Sequence, residues 1–92
     1  MGRTEEAVSR FTAVLRRQPG HLSARQELGI ALNRLGHYEE AAGQFSEIIR
    51  LNPLNTDAHF NLALTLEKRN KIDEALARYS AVLRIDPGHA KA

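Results

Sequence analysis

Gly36-His37-Tyr38-Glu39-Glu40-Ala41-Ala42-Gly43-Gln44-Phe45-Ser46-Glu47-Ile48-Ile49-Arg50-Leu51-Asn52-Pro53 is the stretch that decides the fold, because its columns return 34 residues later as Asn70 to Pro87. Ala41 becomes Ala75, Phe45 becomes Tyr79, Ile48 becomes Val82, Arg50 becomes Arg84 and Pro53 becomes Pro87. Upstream, the same columns hold Ala7, Phe11, Val14, Leu15, Arg16 and Pro19. A fixed period of this length marks an array of stacked supersecondary units.

Between the prolines a second set of columns repeats once: Ala24 with Ala58, Leu28 with Leu62, Gly29 with Ala63, Leu32 with Leu66. These recur at i, i+4 and i+8, one face of an α-helix. Each unit therefore holds two helices, A and B. Helix A of the first full unit is predicted from about Ser23 to Leu35, ended by Gly36, with Asn70 in the same role one unit later. Helix B is predicted from about Tyr38 to Leu51. Glu39 and Glu40 in its first turn and Arg50 in its last match the helix dipole, and Asn52-Pro53 stops it. Asn55 or Thr56 then caps the next helix A. Ala41 and Ala75 on the B helices are expected to face Gly29 and Ala63 on the A helices, with Phe45 and Tyr79 filling the space one turn on.

These columns resemble the tetratricopeptide repeat (TPR) family over almost the whole chain. Leu28, Gly29, Gly36, Tyr38, Ala41, Phe45 and Pro53 match the family pattern in one unit, and Leu62, Ala63, Ala75, Tyr79 and Pro87 in the next. Departures are Arg25 and His59, where a large aromatic is usual, and Ile72, where Tyr is usual. The resemblance implies an all-α solenoid, five antiparallel helices in a right-handed superhelical array. The expected units are 1–21 (a partial repeat, helix B only), 22–55, 56–89, and a stub of a further helix at 90–92. The helix order is B, A, B, A, B. The last helix B carries Leu76, Tyr79, Val82, Leu83 and Ile85 for a neighbour to cover. That neighbour is either more of a longer array or a second copy of the chain.

In the family, the A helices line a concave face that holds a partner polypeptide. At about 100° per residue, Phe60 and Leu64 lie roughly 160° from the seam residues Ala58, Leu62 and Leu66. One reading is a groove with an apolar floor of Ile30, Phe60 and Leu64, edged by Gln26, Glu27, Asn33, Arg34, Asn61, Glu67 and Lys68, that holds a helix or an extended peptide. The other is that Phe60 and Leu64 pack on an adjacent A helix. A further family mode grips a free C-terminal carboxylate with Lys, Asn and Arg. Asn61 and Lys91 stand at clamp-like positions, but Gln26 and Ile30 replace the Lys and Asn that mode needs, so it is not expected.

Composition narrows the other classes. Thirteen Lys and Arg against eleven Asp and Glu give a net charge of +2, well mixed along the chain, which is no footprint for nucleic acid. There is no Cys, so disulfides, Cys-based zinc sites and thiol catalysis are excluded. His21 and His89 share the inter-repeat turn, His37 sits in the turn within a unit and His59 on a helix A, so no metal set is expected. The acidic pairs Glu5-Glu6, Glu39-Glu40 and Asp73-Glu74 recur with the period and serve helix starts, not acid–base catalysis. No Ser/His/Asp cluster, glycine-rich phosphate loop or His-Glu-x-x-His pattern is present, so neither an enzyme nor a cofactor is expected. Gly2 lacks the Ser or Thr that myristoylation needs at residue 6, where Glu6 stands. With no signal peptide or apolar run of spanning length, no membrane insertion is expected and the cytoplasm is the expected compartment.

Overall fold

The structure, a computed structural model, describes residues 2–86. Five helices follow one another: α1 (Gly2–Arg17), α2 (Leu22–Arg34), α3 (Tyr38–Leu51), α4 (Thr56–Lys68) and α5 (Ile72–Ile85), with no strand among the described residues. Each packs on its neighbour in the chain, and α2 also touches α4. The short connections force the antiparallel arrangement. α2 and α4 are the A helices; α1, α3 and α5 are the B helices. Pro87, His89, Lys91 and the 90–92 stub lie outside the described residues.

The helix ends follow from local chemistry. Gly36 takes φ +81° and Asn70 φ +62°, the left-handed conformation that closes a helix. In the first case His37 N–H reaches Leu32 C=O at 2.9 Å and Gly36 N–H reaches Asn33 C=O at 3.0 Å. In the second, Lys71 N–H reaches Leu66 C=O at 2.8 Å and Asn70 N–H reaches Glu67 C=O at 2.9 Å. Both are Schellman closures, and they end the A helices at Arg34 and Lys68. Asn55, not Thr56, caps α4: its Oδ1 accepts from Ala58 N–H at 2.9 Å. One unit earlier His21 fills that role through Nδ1, which accepts from Ala24 N–H at 3.1 Å, so α2 begins at Leu22, one residue before the sequence placed it.

The core runs along the A/B seams. Ala41, Phe45, Ile48, Ala58 and Ala63 are fully buried, joined by Leu28, Leu32, Leu62, Leu66, Ala75 and Val82. The expected close approach is real, and the atoms nearest to Gly29 belong to Phe45. A Cβ on Gly29 would lie 2.6 Å from Phe45 Cζ and 2.7 Å from Cε1, so the missing side chain makes room for the tip of the Phe45 ring itself. In the next unit Ala63 occupies the glycine column, and there the aromatic is a half-buried Tyr79 whose ring meets the Phe60 ring edge-on, at 5.7 Å between centroids and 64° between planes.

Where the family's large aromatic is replaced, each unit builds a polar bracket. Arg25 donates through Nη1 to Gln44 Oε1 (2.9 Å) and through Nη2 to Pro19 C=O (2.8 Å). The buried His59 sits within 2.8 Å of Pro53 C=O through Nε2 and within 3.3 Å of Arg78 Nη1 through Nδ1. A carbonyl only accepts, so Nε2 carries the proton and Nδ1 accepts from Arg78. The two brackets span the same elements with the cation exchanged: on helix A in one, on helix B in the other.

Candidate binding face

The ten residues expected to form a groove all lie on α2 and α4, and their surroundings divide them into distinct groups. Phe60 and Leu64 are 36% and 39% exposed, although both helices are otherwise buried along their apolar seams. Phe60 is braced by Tyr79 of α5, whose hydroxyl donates to Glu67 Oε1. Burial first, and then this hydrogen bond to a negative carboxylate, push the Tyr79 phenol up to about 12. Phe60, Tyr79 and Glu67 thus form one unit across the α4/α5 seam, while Lys68 stands exposed beside it on α4. The column of Tyr79 predicts a packing residue; its hydroxyl, where Phe11 and Phe45 stand in the other units, is the signal that it needs a polar partner.

Asn33 serves a different purpose from the rest. Its Nδ2 donates to Thr65 Oγ1 at 2.8 Å, its Oδ1 lies 3.1 Å from the same hydroxyl, and Thr65 Oγ1 lies 2.9 Å from Asn61 C=O. Thr65 is fully buried, so this contact is a shielded tie between α2 and α4. Asn33 is held by the fold, and Thr65, absent from the expected set, holds it. The Asn61 backbone joins the same network through its carbonyl.

Ile30 is half-buried against the core and shares a cleft with Glu27 and Arg34 on its own helix and with Arg3, Thr4, Ala7 and Phe11 of α1. Gln26 lines a smaller polar depression with Leu22, Ser23, Asn55 and Asp57. Its Oε1 is buried with no hydrogen-bond partner among the described residues. The face therefore offers apolar groups at Ile30, Phe60 and Leu64, the half-buried side chain of Gln26, and mixed charge at Glu27, Arg34, Glu67 and Lys68. That combination suits a polypeptide, with its alternating amides and side chains, better than a small anion or a nucleic acid.

The histidines are accounted for singly. His21 caps α2, His59 closes a bracket, and His37 Nδ1 lies 3.6 Å from Glu40. No group of three His, Asp or Glu side chains among the described residues is placed to hold a metal ion, and no described helix is long and apolar enough to cross a membrane.

Compared with known proteins, the sequence matches the family profile described as tetratricopeptide repeat over residues 1–47 and 27–90. No curated protein matches it significantly. Among solved structures, MamA AMB-1 is 28% identical with a TM-score of 0.89, over 95% of this chain and 52% of that one. YrrB, described as having an unusual peptide-binding site, is 22% identical with a TM-score of 0.91, over 97% of this chain and 46% of that one. The first repeat domain of Spaghetti, solved bound to the HSP90 peptide SRMEEVD, is 23% identical with a TM-score of 0.89, over 94% of this chain and 68% of that one. The chain thus spans about half the length of MamA and YrrB.

Proposed function

The chain belongs to the tetratricopeptide repeat family, and from that premise we propose that it is a protein-interaction scaffold that binds a peptide or helix of a partner protein on the face made by α2 and α4. The observation that carries this reading is the exposure of Phe60 and Leu64, held in place by Tyr79 on helices whose remaining large apolar groups are largely covered. The peptide-binding site described for YrrB and the HSP90 peptide bound to Spaghetti support the class of partner. Ile30, Phe60 and Leu64 supply the apolar contact, Gln26 and Asn61 meet backbone amides, and Glu27, Arg34, Glu67 and Lys68 select charge. Asn33 keeps the two A helices in register. The repeat units are 1–21, 22–55, 56–89 and the 90–92 stub; the scaffold is non-catalytic and works in the cytoplasm.

The test is selection of binders from a random peptide library displayed on phage, followed by the variant Phe60→Ser/Leu64→Ser. Binding by the selected peptides is expected to fall at least tenfold while the helical signal and the melting temperature stay within a few degrees. Unchanged binding, or collapse of the fold, overturns the assignment.

One observation favours a second reading. On α5, Ile72, Leu76 and Leu83 are 47%, 57% and 45% exposed, in the columns of Tyr38, Ala42 and Ile49, where Ala42 is buried and the other two are half-covered. Two such faces meeting across a two-fold axis make a homodimer. Light scattering over a range of concentrations decides it: a monomer throughout removes this reading and leaves the first untouched.

A further inference from the structure

Residues of α3, α4 and α5 bound an open cavity of about 340 Å³, with an apolar floor of Ala42, Leu62 and Leu66 and an edge of Ser46, Arg69, Glu74 and Arg78. It shares no residue with the groove that holds Phe60 and Leu64. A volume of roughly 300 Å³ or more, an apolar floor and a few convergent polar groups are the general marks of a small-molecule site.

The repeat shows what is particular to this cavity. One unit earlier, the columns of Ala42, Arg69 and Arg78 hold Val8, Leu35 and Gln44. Val8 packs against the core, so alanine in its column takes bulk out of the floor, while Arg69 and Arg78 bring two cations to the edge where an apolar and a neutral side chain stood. Nor is the cavity open for want of a following unit. Glu40 and Gly43 of α3, in the columns of Glu74 and Ala77, remain exposed although α4 and α5 follow them.

Both guanidiniums have charge to offer. Arg78 Nη1 lies 3.3 Å from His59 Nδ1, an imidazole lone pair that steadies the group, and Arg78 makes no ion pair with a carboxylate among the described residues. Arg69 Nη2 stands 3.8 Å from Glu39 Oε2, at the limit of an ion pair, and that carboxylate is on a side chain 85% exposed. The one carboxylate of the edge, Glu74, has its own cation in Lys71 Nζ at 3.6 Å. Two guanidiniums against one carboxylate leave room for a single negative charge, and the planar fork of arginine fits a carboxylate.

We propose that this cavity binds a small monocarboxylate with an apolar tail, the carboxylate held between Arg69 and Arg78 and the tail lying on Ala42, Leu62 and Leu66. Ser46 supplies a further hydroxyl donor at the edge.

The probe is hexanoate, titrated into the isotope-labelled full chain and followed by the backbone amide signals in NMR. Saturable shifts are expected at Ala42, Ser46, Ala77 and Arg78. Acetate, which has the charge without the tail, and hexanol, which has the tail without the charge, are each expected to bind at least tenfold more weakly. Arg69→Leu and Ala42→Val restore the side-chain types of the preceding unit, which the repeat accommodates; the first removes a cation, the second refills the floor, and each is expected to weaken hexanoate at least tenfold. The Phe60→Ser/Leu64→Ser chain is expected to bind hexanoate unchanged, which separates this site from the groove. Shifts that do not saturate, equal binding of hexanoate and hexanol, or an affinity that either Arg69→Leu or Ala42→Val leaves unchanged overturns the proposal.

Discussion

Gly29→Ala is the sharpest probe of the way these helices meet. Two effects of opposite sign act at that site. Alanine is the better helix former by about 1 kcal/mol. Against this, the new Cβ lies 2.6 Å from Phe45 Cζ where ordinary contact begins at 3.4 Å, so the ring must retreat by about 0.8 Å. Phe45 is fully buried and packed among Leu28, Ala41 and Ile48, and has nowhere to go without moving a neighbour. Overpacking of this kind costs roughly 1 to 3 kcal/mol, which cancels or exceeds the propensity gain. Gly43 on α3 supplies the internal control: it is exposed, helical, and a Cβ there meets nothing within 4 Å. Gly43→Ala is expected to stabilise by about 0.5 to 1 kcal/mol. Urea and thermal unfolding followed by circular dichroism are expected to separate the variants by roughly 1 to 3 kcal/mol, on the order of 5 to 20 °C for a domain of this size. Adding Phe45→Leu, which removes the ring tip, is expected to cost less in the Gly29→Ala background than in the parent. If Gly29→Ala and Gly43→Ala raise stability equally, the ring-over-glycine contact is refuted.

Two further outcomes follow from the caps and the phenol. Asn55→Ala and His21→Ala each remove the side-chain acceptor of an A helix and are expected to cost about 0.5 to 2 kcal/mol in denaturant unfolding; neutrality of both would show that the two caps contribute nothing to stability. In a Tyr38→Phe chain, ultraviolet titration is expected to place the remaining phenol at about 12. Because this folded-state value is raised above the ordinary value of about 10, its contribution to stability is complete below pH 10 and is lost as pH climbs through 12. Glu67→Gln, which removes the negative charge, is expected to lower the midpoint; no change would mean that Glu67 does not act on Tyr79.

The architecture was readable because it is written in positions with one physical meaning each. Gly36 and Asn70 sit where the chain must turn left-handed, the prolines sit where a helix cannot continue, and the alanines sit where helices approach closely. The candidate face was legible only as a set of angles. The helical period locates Phe60 and Leu64 on a common side but says nothing about what the neighbouring helix brings near them. Tyr79 beside Phe60, Thr65 beside Asn33 and Arg78 beside His59 are contacts between helices, fixed by interhelical distance and rotation. The sequence places His21 in the inter-repeat turn but not as a cap, because an imidazole is an uncommon cap and only the backbone geometry at Ala24 reveals that it accepts there. The column of Gly29 marks a close approach, but that the Phe45 ring tip comes nearest to it depends on a fraction of a helical turn.

The Asn33–Thr65 bond has a mechanical consequence. One unit can rotate against the next only about the packed seam of α3 and α4, and this bond bridges α2 and α4 about one helix diameter, ~10 Å, from that pivot. It works as a tie rod across the inside of a bow. A flattening of about 5° at such a radius would lengthen the 2.8 Å contact by roughly 0.9 Å, beyond hydrogen-bond range. The array is thus stiffer against straightening than against tightening, and the spacing of α2 and α4 is set within the fold itself.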